Sequence, residues 1–166
     1  MFIDSASNEE NELSVDGLYI ETDQEVYVVT EDNSNLIEIT YDFVNEGKQA
    51  FYLRACKGTA MGGLEKLVNG KWILSYSEVC QTIDVGQITI RRGERHGSTI
   101  QLHPFLWDPE SSATWKGGDI EGTYRISKRI YRSGMEKFDK HTSPYDIVIL
   151  NYEIIISNTF EIQRVQ

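Results

Sequence analysis

Two cysteines, three histidines and a few clustered acids are the residues of this 166-residue chain whose types could do chemistry. Cys56 and Cys80 do not form a C-x-x-C pair, and His96, His103 and His141 match none of the usual metal-ligand spacings. Ser and Thr are plentiful, yet no Gly-x-Ser-x-Gly elbow is present to build a Ser-His-Asp hydrolase, and no Gly-rich loop opens a helix to cradle phosphate. Asp108 and Glu110 beside Trp107, with Trp115 further on, come nearest to a sugar site, because acids next to an aromatic floor suit carbohydrate. Pro109 between the two acids makes a plain turn the simpler reading, and glycosidic catalysis also needs a raised carboxyl pKa at a defined separation. Glu31-Asp32-Asn33-Ser34-Asn35 offers oxygen ligands for calcium but lacks the register of an EF-hand loop. No catalytic residue, cofactor or metal is expected.

Charge is placed unevenly. Residues before Lys48 contribute 13 acids and no base, while the rest of the chain carries 13 acids against 16 bases. The first stretch would repel a phosphate backbone, so nucleic acid is a poor partner. Arg91, Arg92, Arg95 and His96 read as a basic hairpin tip, with Lys128, Arg129 and Arg132 adding charge on a later strand. These groups either steer an anionic partner, pair with the acidic face, or stand solvated on strand edges.

No run of about 18 apolar residues occurs, so no membrane span is expected. Residues 1–14 read as a flexible acidic tether, and 15–166 as one domain of ordinary apolar content. The opening lacks a signal peptide, which fits a mature chain whose leader has been removed, or a cytoplasmic protein. Beyond Gly17, short runs alternate apolar and polar residues between Gly, Asn and Asp, the period-two pattern of half-buried strands. Leu36 to Val44 is one such strand and Ala50 to Ala55 its return. Asn69-Gly70 between Leu64–Val68 and Lys71–Tyr76 predicts a two-residue type I′ hairpin. Gln87–Arg92 and Ser98–Leu102 flank a polar Gly93–Gly97 loop as a further pair, and Leu102–Gly118 reads as irregular. Gly122 to Tyr131 alternates with Tyr124, Ile126 and Ile130 inward, and Ile147 to Ile162 offers a long last strand. Between them, Ser133–Pro144 is either one helical turn or a long loop. About seven to nine strands predict an all-β, two-sheet antiparallel sandwich.

Trp72, two residues after the tight turn, is read as a core anchor between the sheets, and Tyr124 as the hydroxyl donor of a tyrosine corner built with Asp119 and Gly122. Cys56 and Cys80 each follow a predicted strand, so a bridge would staple two connections, with a loop-entropy contribution of about 3–4 kcal/mol. Two buried free thiols in a cytosolic protein are the competing reading.

Tyr52-Leu53-Arg54-Ala55-Cys56, Leu64-Glu65-Lys66, Asn69-Gly70-Lys71-Trp72, Cys80, Gly122-Thr123-Tyr124-Arg125-Ile126 and Ser157-Asn158-Thr159-Phe160-Glu161-Ile162 follow one another in an order that resembles bacterial immunoglobulin-like domains of secreted proteins and lipoproteins. The resemblance spans most of Glu25 to Ile162. It implies a β-sandwich with no set of catalytic positions, and Ile126 stands where an antibody domain has its second Cys. A more remote similarity is to bacterial intracellular proteinase-inhibitor domains, which share the sandwich pattern and the Gly-x-Tyr step.

The function expected is a non-catalytic, extracytoplasmic interaction or structural domain, tethered through a lipid anchor upstream and meeting a protein or a cell-envelope component. Arg91, Arg92, Arg95, Trp107, Asp108 and Trp115 are its candidate surface. The alternatives are a peptidase inhibitor acting through Gly93–Gly97 or His103–Gly118, and a carbohydrate-binding module using Trp107, Trp115, Asp108 and Glu110. Thiol titration of the denatured, unreduced protein is expected to find no free thiol, and finding two would remove the case for an oxidising compartment.

Overall fold

The computed structural model describes residues 13–32, 34–56, 58–60, 63–77, 85–102, 114–115, 119–134 and 152–166. Their regular structure is all β. In chain order the strands are β1 (Ser14–Val15), β2 (Leu18–Thr22), β3 (Val26–Thr30), β4 (Ile37–Asn45), β5 (Phe51–Cys56), β6 (Thr59–Ala60) and β7 (Gly63–Val68). They continue as β8 (Lys71–Ser77), β9 (Val85–Ile90), β10 (Arg95–Leu102), β11 (Thr114–Trp115), β12 (Gly122–Tyr131), β13 (Tyr152–Ile156) and β14 (Phe160–Val165). Three of these strands are two-residue pairings, the run read as one last strand is broken in two, and β2 and β3 add two strands before Leu36.

Two sheets share these strands. The smaller has the order β1-β2-β4-β10. The larger runs β11-β8-β7-β12-β14-β3, with β13 and β5 also on β12, and β9 and β6 on β5. β4 shows why the sheets face each other. Ile37, Ile39, Tyr41 and Phe43 are buried, whereas Glu38 is exposed and Thr40 and Asp42 are half-buried, so alternation gives the strand one apolar face. These side chains join Leu53, Leu64, Ile90, Tyr124, Ile126, Ile130 and Ile162 of the larger sheet in one buried cluster. The chain moves between sheets early: β2 pairs antiparallel with β4, and β3, a few residues later, pairs parallel with β14.

Asn69 and Gly70 adopt φ of 50° and 75°, the left-handed conformation that a type I′ turn demands and that Asn-Gly tolerates with little strain. The β7–β8 hairpin follows as the sequence predicts. The strands on either side of the Arg91–Glu94 connection behave differently. Both form, but they do not pair with each other: β9 joins β5 in the larger sheet and β10 joins β4 in the smaller. Arg95 and His96 belong to β10 and not to a hairpin tip.

Asn45 secures that crossing. Fully buried, it donates Nδ2 to the carbonyls of Gln49 and Ile90 at 2.8 and 3.0 Å, and its Oδ1 accepts from Gly47 N at 3.0 Å. Its own backbone accepts from Gly93 and donates to Glu94. One residue therefore ties the β4–β5 turn and the end of β9 through its side chain, and the interconnecting loop through its backbone. The turn is close-packed against the β1–β2 hairpin, where a Cβ on Gly47 would lie 2.0 Å from the Asp16 carbonyl oxygen.

β12 matches the sequence reading in extent, and Tyr124, Ile126 and Ile130 are wholly buried. Tyr124 Oη donates to the carbonyl of Ile120, closing a tyrosine corner. Burial, and then the charge of Asp119, pushes the phenol well above its ordinary pKa, so the donor keeps its proton. Burial alone would raise Asp119, but hydrogen bonds from Arg164 and from the backbone of Ile120 and Glu121 outweigh it and hold the carboxyl below 3.8. Its stabilising charge is thus present above the ordinary carboxyl range and is lost as pH falls through the depressed pKa.

The final run carries two strands, broken at Ser157; residues 147–151 lie outside the described residues, as do 1–12 and most of 133–144. Among the described residues no helix is long and apolar enough to cross a membrane.

Tyr124→Phe leaves a buried carbonyl without its donor, and is expected to destabilise the fold by about 1–3 kcal/mol while far-ultraviolet circular dichroism stays unchanged. Asn45→Ala orphans three backbone groups at once and is expected to cost more, about 2–4 kcal/mol. Denaturant titration of both variants checks the ranking; an Asn45→Ala variant as stable as the parent would remove this side chain from the account of the crossing.

Candidate functional site: a cleft where the larger sheet parts

β12 is the spine of the larger sheet and changes neighbours halfway along. On one edge its first half pairs with β7, through Tyr124 opposite Lys66, Arg125 opposite Glu65 and Ile126 opposite Leu64. The next pairing on that edge is Tyr131 opposite Tyr52 of β5. Between Ile126 and Tyr131 neither strand reaches β12, because β5 turns away to pair with β9 and the chain returns through β6 before β7 begins.

A cavity of about 460 Å³ occupies this gap. Cross-strand partners in a ladder share a face, so its walls can be sorted. Arg54, Glu65, Leu74, Arg129 and Ile154 stand on the outer face. Leu53, Ala60 and Lys128 stand on the inner one, and Phe43 of the smaller sheet also lines the cavity. The opening therefore passes through the sheet to the core.

Three cations and one carboxylate line it. Lys128, buried between Ile126 and Ile130, holds its Nζ 5.7 Å from the centre of the Tyr41 ring. The Arg129 guanidinium lies 4.5 Å from the Tyr152 ring centre, within cation–π reach. Arg54 Nε is buried and, among the described residues, has no hydrogen-bond partner. Glu65 is already engaged by Arg125 in an ion pair whose side chains are only 18% and 10% exposed. Beside the cleft, Tyr131 packs edge-on against Tyr152 at 6.4 Å, and Tyr52 stands opposite Tyr131 on the same face.

The residues singled out from sequence fall elsewhere. Arg91 and Arg92 are exposed on the crossing, where Glu94 accepts from the Arg91 amide at 2.8 Å. Arg95 lies on the outer face of the smaller sheet and is engaged by Glu21 at 2.7 Å and Asp42 at 2.9 Å; those hydrogen bonds raise its pKa further. Trp115 sits on β11 opposite Tyr76 in the larger sheet, whereas Arg95 belongs to the smaller. Trp107 and Asp108 lie outside the described residues, as does Cys80. Cys56 ends β5 and is not a free thiol. Trp72, expected between the sheets, is half-buried outside the core cluster with the Arg125 guanidinium 4.3 Å from its ring centre. Pairing explains this: Trp72 stands opposite Leu67, on the face away from Lys66 and Tyr124.

Sequence reasoning noted the charge of Lys128 and Arg129 but not the cleft. The available signal was Lys128 itself, which interrupts the inward series Tyr124, Ile126, Ile130 with a cation. Among the described residues no group of three or more His, Cys, Asp or Glu side chains is gathered to hold a metal.

No family model and no curated protein matches the chain. Among solved structures it is similar to a β-glucosidase from Listeria innocua, at 8% identity and a TM-score of 0.33; 90% of this chain is covered, but it spans only 16% of that enzyme's length. It is also similar to AvmM, described as catalysing macrocyclization in alchivemycin A biosynthesis, at 11% identity and a TM-score of 0.40, with 92% of each chain covered.

Proposed function

We propose that this chain is a non-catalytic binding domain of immunoglobulin-like topology that works outside the cytoplasm, and that the outer face of the larger sheet is where its partner docks. Three features support the topology: an N-terminal strand that switches from one sheet to a parallel pairing in the other, the β4–β10 pair facing the β7–β12–β14 group, and the tyrosine corner at the entry to β12. The observation that carries the binding reading is the gathering of Tyr52, Tyr131 and Tyr152 with Arg54 and Arg129 on one face around the cleft. Tyr and Arg are the side chains enriched at contact surfaces, since each offers a large flat area together with directed hydrogen bonds. That Cys56 is not a free thiol supports an oxidising compartment and, with it, a secreted or envelope-anchored protein. The partner in this reading is a protein or a cell-envelope polymer.

The test is site-specific photo-crosslinking in the source cells. A photoreactive phenylalanine analogue replaces Tyr152 in one variant and Thr99, on the outer face of the smaller sheet, in another. A discrete adduct from position 152 and none from 99 is the expected result. Adducts from both positions alike, or from neither, would remove the larger sheet as the docking face.

A further inference from the structure

We propose that the cleft in the larger sheet binds an amphipathic monocarboxylate, a ligand with an apolar body ending in one carboxylate, whose charge is received by Arg54 and Arg129 at the mouth. This deepens the reading of that face as a binding surface and assigns its ligand chemistry.

Size and walls come first. About 460 Å³ is within the range of small-molecule pockets, and Phe43, Leu53, Leu74 and Ile154 give it apolar sides. An unpartnered sheet edge is ordinarily closed by its neighbours; here the edge of β12 from Ser127 to Ile130 borders a space large enough for a ligand body. The second consideration is charge. Arg54, Lys128 and Arg129 converge on the cavity, and its one lining carboxylate, Glu65, is held by Arg125. Among the described residues neither Arg54 nor Arg129 has a carboxylate partner. Arg54 Nε in particular is a buried donor that the fold leaves unsatisfied, and such a donor costs free energy until an acceptor reaches it. Arg129 lies 4.5 Å from the Tyr152 ring centre, a cation–π contact that places its guanidinium beside the mouth.

The same pieces set the ligand's charge. A guanidinium fork matches the two oxygens of a carboxylate. The apolar interior, reaching Phe43 of the opposite sheet, excludes a wholly polar acid because burying its hydroxyls would leave them unpaired. A free fatty or aryl acid and the C-terminal residue of a peptide both carry this chemistry.

Nuclear magnetic resonance titration with four probes separates the cases: decanoate, decanamide, N-acetyl-alanyl-leucine and its C-terminal amide. The expected result is saturable shifts of the Leu53, Ala60 and Ile154 amides with one or both acids, and binding at least about tenfold weaker for the matching amide. Decanoate alone would identify a free acid, and the peptide acid alone a chain end. Arg54→Gln and Arg129→Gln are each expected to weaken the acid about tenfold, roughly 1.4 kcal/mol, and to leave the amide unchanged. Arg54→Lys, which keeps the charge without the fork, is expected to fall between Arg54→Gln and the parent, and thermal melts confirm that each variant is folded. Equal affinity for acid and amide, no binding of either, or shifts centred outside the cleft would overturn the proposal. Crosslinking at position 152 does not depend on Arg54, so the docking face can stand or fall separately.

Discussion

A strand has one row of backbone donors and acceptors along each edge, and β12 must divide both rows between two neighbours. The architecture of the larger sheet follows from how the two divisions are made. On one edge the handover runs from β14 to β13, and Ser157 patches it: its amide donates to the Ile126 carbonyl and its Oγ accepts from the Ile126 amide, both at 2.9 Å. A side-chain oxygen thus stands in where the ladder register slips, and Ser157 is buried for that purpose. On the other edge the handover runs from β7 to β5, and the intervening chain leaves to form β6 and to meet β9. The cleft is the geometric consequence of that second, unpatched handover.

The segregated charges of the sequence meet again in space. Asp16 pairs with Arg132, and Glu21 and Asp42 share Arg95, so acids from the base-free first stretch find bases supplied after Lys48. Each of these pairs is substantially exposed, and exposed pairs contribute little singly because water and salt screen them. Their effect is to neutralise the first strands against the later ones. Arg54, Lys128 and Arg129 line the cleft in the other sheet.

What was legible in the chain was local. β12 could be read to its end residues, and the β7–β8 hairpin from Asn69-Gly70, because alternation and turn chemistry are properties of contiguous residues. Partner choice is not such a property. Gln87–Arg92 and Ser98–Leu102 look like a hairpin by spacing, yet Asn45, some forty residues earlier, holds the connection open between sheets. Trp72 shows the same limit: alternation gives two faces but does not say which one is inward until the pairing of β7 with β12 decides it. Within the candidate surface chosen from sequence, Arg95 is engaged by Glu21 and Asp42, partners that no local pattern reveals.

Buried polar groups in this molecule divide by whether the fold accounts for them. Asn45 meets its partners in the backbone, Ser157 completes the β12 ladder, and the Tyr124 hydroxyl closes its corner. Removing any of these groups would damage the framework, which is sufficient reason for their presence. Arg54 differs. Its Nε is buried where the larger sheet parts, beside an inward lysine and a guanidinium 4.5 Å from the Tyr152 ring centre, and nothing among the described residues uses it. An apolar side chain would cover the same strand without leaving a donor unsatisfied. The free energy that a buried, unsatisfied donor costs there is thus not offset by any contact among the described residues.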